Sequence, residues 1–317
     1  MVKRDRGQIM LIGAVAIAFI FLGLAAVYTA QLSARPATTG SVGDQGADAT
    51  EFNREARRNV RAIAVRVNHA EPYYASRGAL NDSVARETTN YSRLLAETYA
   101  GGTGSMVDVR YDGATRVGTR TTLYDDGLLT DDANATTWRP VEDPADVGWF
   151  VLNLNVTAMS EGDPFVVRIE NATGADTTYT FTRNTTGQSV LTVEVTSETE
   201  IFGQGGTCNP RGNRSVIDLT SGESFTSTCS VEPAIEDLDG PYTVEFENAD
   251  NAAGKFSVVT DTREANRANG LGACPPTGSD PQPCNTYAAW NVTLTTRYDS
   301  GELSYTNTQN VTVYEGV

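Results

Sequence analysis

The sequence predicts an α+β chain that is mostly β: an N-terminal transmembrane-type helix, a short helical neck and an antiparallel β-sandwich-like head. Three observations carry this. From Ile9 to Tyr28 there are 20 residues with no charged side chain. Between residues 51 and 100 apolar positions recur at helical spacing. From residue 106 onward β-branched or aromatic residues alternate with polar ones, and turn clusters interrupt the alternation at short intervals. The resulting division is a basic leader (1–7), a hydrophobic helix (8–31), a flexible linker (32–50), a two-helix neck (51–100) and a β-rich head (101–317).

The apolar run is long enough to matter physically. At about 1.5 Å rise per residue it reaches roughly 30 Å, the thickness of a bilayer core. A removable secretory signal has an apolar region of about 7–15 residues and ends in a small-x-small site. Here "VYTAQLSAR" places Tyr28 before Ala30 and Leu32 before Ala34, so neither alanine makes a good site. The helix is therefore expected to stay with the chain. Lys3, Arg4 and Arg6 precede it, which keeps the N-terminus cytoplasmic and sends the head outside, as a single-pass protein of the cell membrane.

The segment "SARPATTGSVGDQGADAT" has no apolar periodicity and reads as linker. Thr50 then caps a helix with Phe52, Ala56, Val60, Ile63 and Val67 on one face. Its opposite face carries Arg54, Arg57, Arg58, Arg61 and Arg66, read as solvated. Pro72 and Gly78 break it. Asp82 caps a second helix bearing Val84, Thr88, Tyr91, Leu95 and Tyr99, which ends at "AGGTG". In the head, segments such as "FVVRIEN", "TTYTFTRN", "SVLTVEVTS" and "YTVEFEN" have period two, the mark of antiparallel strands with one buried face. They build one large sandwich or two smaller ones, with the Cys208–Cys229 region as the boundary candidate.

The leader ends in Arg6-Gly7-Gln8, directly against the apolar run. Here "RGQIMLIGAVAIAFIFLGLAAVYTA" resembles the class III (prepilin-type) signals of archaeal type IV pilins and archaellins. More narrowly, it is similar to the opening of haloarchaeal pilin-like exported proteins of unknown function. The resemblance implies cleavage between Gly7 and Gln8 by a prepilin peptidase, with the helix retained. It also implies assembly with other pilin-like subunits. Ile12 stands where bacterial pilins carry glutamate, a departure that archaeal members share. Gly13, Ala14, Ala16, Ala18, Gly23 and Ala25 would let such helices approach closely.

Composition narrows the partners. There are 40 acidic residues against 24 basic, a net charge of −16, and the only lysines are Lys3 and Lys255. The single basic concentration, the arginine face of the first neck helix, is read as solvated, so nucleic acid is not an expected partner. Hydrated carboxylates on this scale suit very high salt and point to a halophilic archaeal source. Cys208, Cys229, Cys274 and Cys284 lie in turn-rich segments; outside a membrane an even count reads as disulfides, and Cys208–Cys229 with Cys274–Cys284 closes the shortest loops. N-glycosylation sequons begin at Asn81, Asn90, Asn134, Asn155, Asn171, Asn184, Asn213, Asn291 and Asn310.

Catalytic chemistry finds little to use. The one histidine, His69, sits at a helix end, where its charge would suit the C-terminal dipole. No G-x-S-x-G or S-x-x-K is present. Adjacent acids (Asp125-Asp126, Asp131-Asp132, Glu142-Asp143 and "EDLDG" at 236–240) carry no information about a shared cleft. No metal or cofactor is expected. Trp138 and Trp149 are read as core, as are the tyrosines of the neck. The expectation is a non-enzymatic cell-surface protein, a pilin-like structural or minor filament subunit. Its rivals are a membrane-anchored adhesin or binding module that never polymerises, and an exported hydrolase with an unrecognised carboxylate pair.

Overall fold

The computed structural model describes residues 42–70, 74, 76–185, 189–197, 206–226, 229–233, 240–262, 270–275 and 282–314. The leader, the hydrophobic segment 8–31 and the Gly7-Gln8 junction lie outside the described residues. Two compact units divide the chain, residues 1–49 and 50–317. Of the first, only 42–49 are described, as the opening turns of helix α1 (Val42–Ala70). That helix starts inside the stretch expected to be linker, and Thr50 lies within it rather than capping it. Residues 42–50 contain no proline, so the helix propagates upstream of the packed turns in spite of Gly43 and Gly46.

Among its described residues the second unit is mostly β, with the greater part of α1, a second helix and two antiparallel sheets. Helix α2 (Arg77–Gly102) is capped by Ser76, whose hydroxyl accepts from the Ala79 amide at 3.1 Å. Asp82 is therefore an interior residue. The helices run antiparallel: Phe52 meets Tyr99 edge-on at 5.6 Å, and Asn59 donates to Tyr91 Oη at 3.0 Å. The Arg66–Glu87 ion pair joins them further along. On α1 the buried stripe is Phe52, Ala56, Val60, Ala64 and Val67; Ala64 takes the place expected for Ile63.

Twelve strands are described: β1 (Met106–Leu128), β2 (Trp138–Glu142), β3 (Val147–Asn155), β4 (Phe165–Asn171), β5 (Asp176–Asn184), β6 (Val190–Ser197), β7 (Gly206–Cys208), β8 (Arg214–Asp218), β9 (Tyr242–Glu247), β10 (Ala253–Thr260), β11 (Cys284–Asp299) and β12 (Ser304–Thr312). One sheet has the order β12-β11-β1-β10-β3-β8 and the other β2-β9-β4-β5-β6-β7. Their facing side chains form one hydrophobic cluster. Alternation explains it: Phe165, Val167 and Ile169 on β4, and Tyr242, Val244 and Phe246 on β9, are the buried members of period-two strands. Ile217 and Leu219, between Cys208 and Cys229, belong to that same cluster.

β1 is long enough to serve two layers. Its Thr119–Leu128 half pairs with β10, while from Met106 to Thr122 it pairs with β11. In the first half its other edge lies against α2, which satisfies it with side chains. Ser92 Oγ accepts from Val109 N at 2.8 Å and donates to Asp108 at 2.9 Å. Asn81 Oδ1 accepts from Tyr111 Oη and Ala114 N, and Arg77 donates to the Ala114 carbonyl at 2.7 Å. Buried backbone groups need such partners.

Candidate functional site

The C-terminal end of α1 is pinned to the first sheet by polar side chains. Asn68 is fully buried. Its amide donates to the Ala289 carbonyl at 2.9 Å and accepts from the Ala289 N–H at 2.8 Å. This happens where the β1–β11 register shifts, from Arg116↔Asn291 to Val117↔Ala289. A bulge takes backbone groups out of the ladder, and Asn68 satisfies those of Ala289. Its Nδ2 also donates to Tyr314 Oη at 3.1 Å. Tyr314 packs on Trp290, ring centroids 5.4 Å apart. Gly148 makes room for it: a Cβ there would lie 2.2 Å from Tyr314 Cβ.

Arg120, from β1, completes the cap. Its Nη1 donates to the Asn68 carbonyl at 2.8 Å and its Nε to Ser257 Oγ at 3.0 Å. A cation there meets the negative end of the helix dipole and a terminal carbonyl. His69 was expected to supply that charge and does not. Its Nε2 lies 2.9 Å from Tyr314 Oη, and its ring sits 4.8 Å from that of Trp149. Burial, and secondarily the Arg120 guanidinium, push His69 down to about 3, so it is neutral near pH 7. Burial likewise raises the Tyr314 hydroxyl above its ordinary range.

Beside this cap lies a pocket of about 300 Å³, lined by His69, Arg120, Thr122, Tyr124, Lys255 and Ser257 among others. Asn153 also lines it, and its buried Oδ1 finds no partner among the described residues. The pocket presents two cations, several hydroxyls and an orphan acceptor. It does not present an activated nucleophile: Ser257 Oγ accepts from Arg120, no hydrogen bond joins Ser257 to His69 among the described residues, and a histidine with so low a proton affinity is a poor base.

The acids singled out in the sequence do not converge. Asp125, Asp126, Asp132 and Asp143 are exposed, and Asp131 folds back to accept from Ala133 N and Ala135 N. Residues 236–239 lie outside the described residues. A closer acid pair escaped the sequence because 115 positions separate its members: Asp146 N donates to Asp261 Oδ1 at 3.1 Å, and Asp261 forms an ion pair with Arg116. Burial, then the Asp261 charge, raises the Asp146 carboxyl. Among the described residues no group of three or more His, Cys, Asp or Glu could hold a metal ion.

Cys208 is bonded to Cys229 and Cys274 to Cys284, with Cα separations of 5.2 and 4.7 Å. Of the sequon asparagines, Asn90, Asn134, Asn184, Asn213 and Asn310 are exposed, and Asn81, Asn155, Asn171 and Asn291 are half-buried. Asn213 Nδ2, the atom that would carry a glycan, donates to Asn155 Oδ1, and Asn291 Nδ2 donates to Thr312 Oγ1. Trp138 is buried, its Nε1 donating to the Leu129 carbonyl at 2.8 Å, while Trp149 is half-buried against His69. On α1 the arginines are solvated except Arg61, which donates to the Val313 carbonyl at 2.9 Å.

Replacing Asn68 with leucine removes the side-chain partner of the Ala289 amide and carbonyl and leaves the Tyr314 hydroxyl with His69 alone. A loss of about 2 kcal/mol is expected. Urea unfolding would measure it, and proteolysis between residues 70 and 77 should accelerate.

Comparison with known families adds one finding. Residues 3–126 match a family described as a family of unknown function (DUF7261). The matched stretch runs from the leader through α1 and α2 to near the end of β1, so it takes in the two helices and the strand whose edge α2 covers. Neither the comparison with curated proteins nor that with solved structures gives a match.

Proposed function

We propose that this chain is a non-enzymatic cell-surface subunit of pilin-like type, held in the membrane by Ile9–Tyr28 and trimmed between Gly7 and Gln8 by a prepilin peptidase. The observation that carries the reading is the unbroken 20-residue apolar run abutting Arg6-Gly7-Gln8. Among the described residues no helix is long and apolar enough to cross a membrane, and the run lies outside them. Two features of the head support the reading. From residue 50 onward, α1 is an amphipathic helix seated on a sheet by Phe52 and its neighbours, so a pull on the helix is transmitted to the β structure. Two disulfides suit an oxidising exterior. Cutting off the cationic leader removes the group that holds the helix at the cytoplasmic headgroups and leaves it able to pack with copies of itself.

Mass spectrometry of the chain purified from its native membrane tests this. A mature N-terminus at Gln8 is expected, and Gly7→Val should leave Met1 or Val2 in place. A wild-type chain that keeps its leader would instead favour the membrane-anchored adhesin. One beginning beyond Ala30, free of the membrane, would end both readings.

A further inference from the structure

Sheet edges are hazards, and this fold closes most of its own. β8 is covered by the segment after it: Asp218 N donates to the Glu223 carbonyl at 2.9 Å, Phe225 N to the Val216 carbonyl at 2.9 Å, and Val216 N to Thr226 Oγ1 at 2.9 Å. β2 spans five residues and contains Pro140. β7 spans three and is bonded through Cys208 to Cys229. The free half of β1 is satisfied by Ser92, Asn81 and Arg77 of α2. β12 is different. It is the outermost strand of its sheet, nine residues long, and among the described residues nothing pairs with its outer side.

The phase of its ladder is set at both ends. Val313 N donates to the Trp290 carbonyl and Ser300 N to the Leu303 carbonyl, each at 2.8 Å. Odd-numbered residues therefore face β11, and Ser304, Thr306, Thr308 and Asn310 turn their N–H and C=O groups outward. All four are exposed. The strand "SYTNTQNVT" contains no charge and no proline, two of the devices that keep an edge from pairing.

We propose that β12 pairs antiparallel with the β12 of a second copy of this chain, about a two-fold axis at Thr308. The argument for a second copy is charge and self-complementarity. At a net charge of −16, copies repel over most of their surface; β12 is a neutral strip on which they can meet. With Thr308 on the axis, Thr306 faces Asn310 and Ser304 faces Thr312, so the full length of both strands overlaps. The exposed face already carries cross-strand polar contacts, Thr308 to Thr295 at 2.8 Å and Thr293 to Asn310 at 2.6 Å. Pairing extends this ladder across two molecules. The contact uses the head alone and stands independently of any trimming at Gly7.

The test uses the full chain in mild detergent at high salt. Thr308→Cys should form a disulfide-linked dimer under mild oxidation at least ten-fold faster than Asn90→Cys, a collision control exposed on α2. Adding Thr306→Lys to Thr308→Cys should return the rate to that of the control. By sedimentation, the wild-type chain should be dimeric and the Thr306→Lys/Thr308→Lys chain monomeric. Equal cross-linking rates, a monomeric wild type, or a dimer unchanged by the lysines would overturn the proposal, the last by placing the contact elsewhere. A glycan on Asn310 of the native protein would overturn it as well.

Discussion

Phe246→Ala lowers the stability of the head by about 4 kcal/mol, within the usual cost of truncating a buried phenylalanine. Phe246 is fully buried on β9. It lies edge-on to Trp138 at 5.5 Å and to Phe165 at 5.2 Å within its own sheet. Across the interface it meets Phe150 at 6.4 Å and Phe256 at 5.2 Å, from β3 and β10 of the other sheet. Removing the ring takes away burial and leaves a cavity that two hydrogen-bonded sheets cannot easily close. Domains of this kind have a net stability of only about 5–15 kcal/mol, so the loss is a large share. Because both sheets share the cluster, unfolding in urea should be a single transition seen alike by tryptophan fluorescence and far-UV circular dichroism, shifted as a whole in the variant. Phe225→Ala, at an exposed ring, should change stability little. Two separate transitions, or a loss below about 1 kcal/mol at Phe246, would mean that the sheets do not depend on one another.

Local pattern carried most of the architecture. β4, β5, β6 and β9 show the alternation that one buried face imposes, and α1 and α2 show the helical spacing of Phe52, Ala56, Val60 and Val67, and of Val84, Thr88 and Leu95. What failed lacked local pattern. β7 has three residues, and β2 carries Pro140, which an edge strand tolerates but alternation cannot reveal. Register shifts near Gly113 let β1 run on as one strand from Met106 to Leu128, through a stretch where alternation alone would end it. Helix starts were displaced because Thr50 and Asp82 are good caps by composition, whereas the packed helix extends past both. The polar cap at the end of α1 could not be read at all: Asn68, Arg120, Ala289 and Tyr314 meet only after the sheet forms. His69 was legible as a helix-end residue. Its charge state was not, because that depends on burial and on Arg120, which is 51 positions away in sequence.

That charge state gives the second large effect, a loss of stability in acid that depends on one side chain. His69 is held at about 3 in the folded chain against an ordinary value of 6.5. Above pH 6.5 both folded and unfolded chains carry it neutral, and its contribution is fully present. Between 6.5 and about 3 the unfolded chain takes a proton that the folded chain refuses, so stability falls as pH falls. The ceiling is about 5 kcal/mol at 1.36 kcal/mol per unit, of which about 2–3 kcal/mol is lost by pH 4.5. The groups around the ring make the refusal physical: Arg120 is a buried cation, Lys255 lines the same pocket, Tyr314 Oη occupies Nε2, and Trp149 covers the face. The Asp146 carboxyl, raised by burial and by the Asp261 charge, is common to any variant at position 69. The informative quantity is therefore the difference between the wild type and His69→Gln in urea unfolding from pH 7.5 to 4.5. The glutamine chain should have the shallower acid slope, by about 2–3 kcal/mol over that range. Parallel slopes would show that the imidazole is already solvated, and that the end of α1 is not sealed by Tyr314 and Arg120.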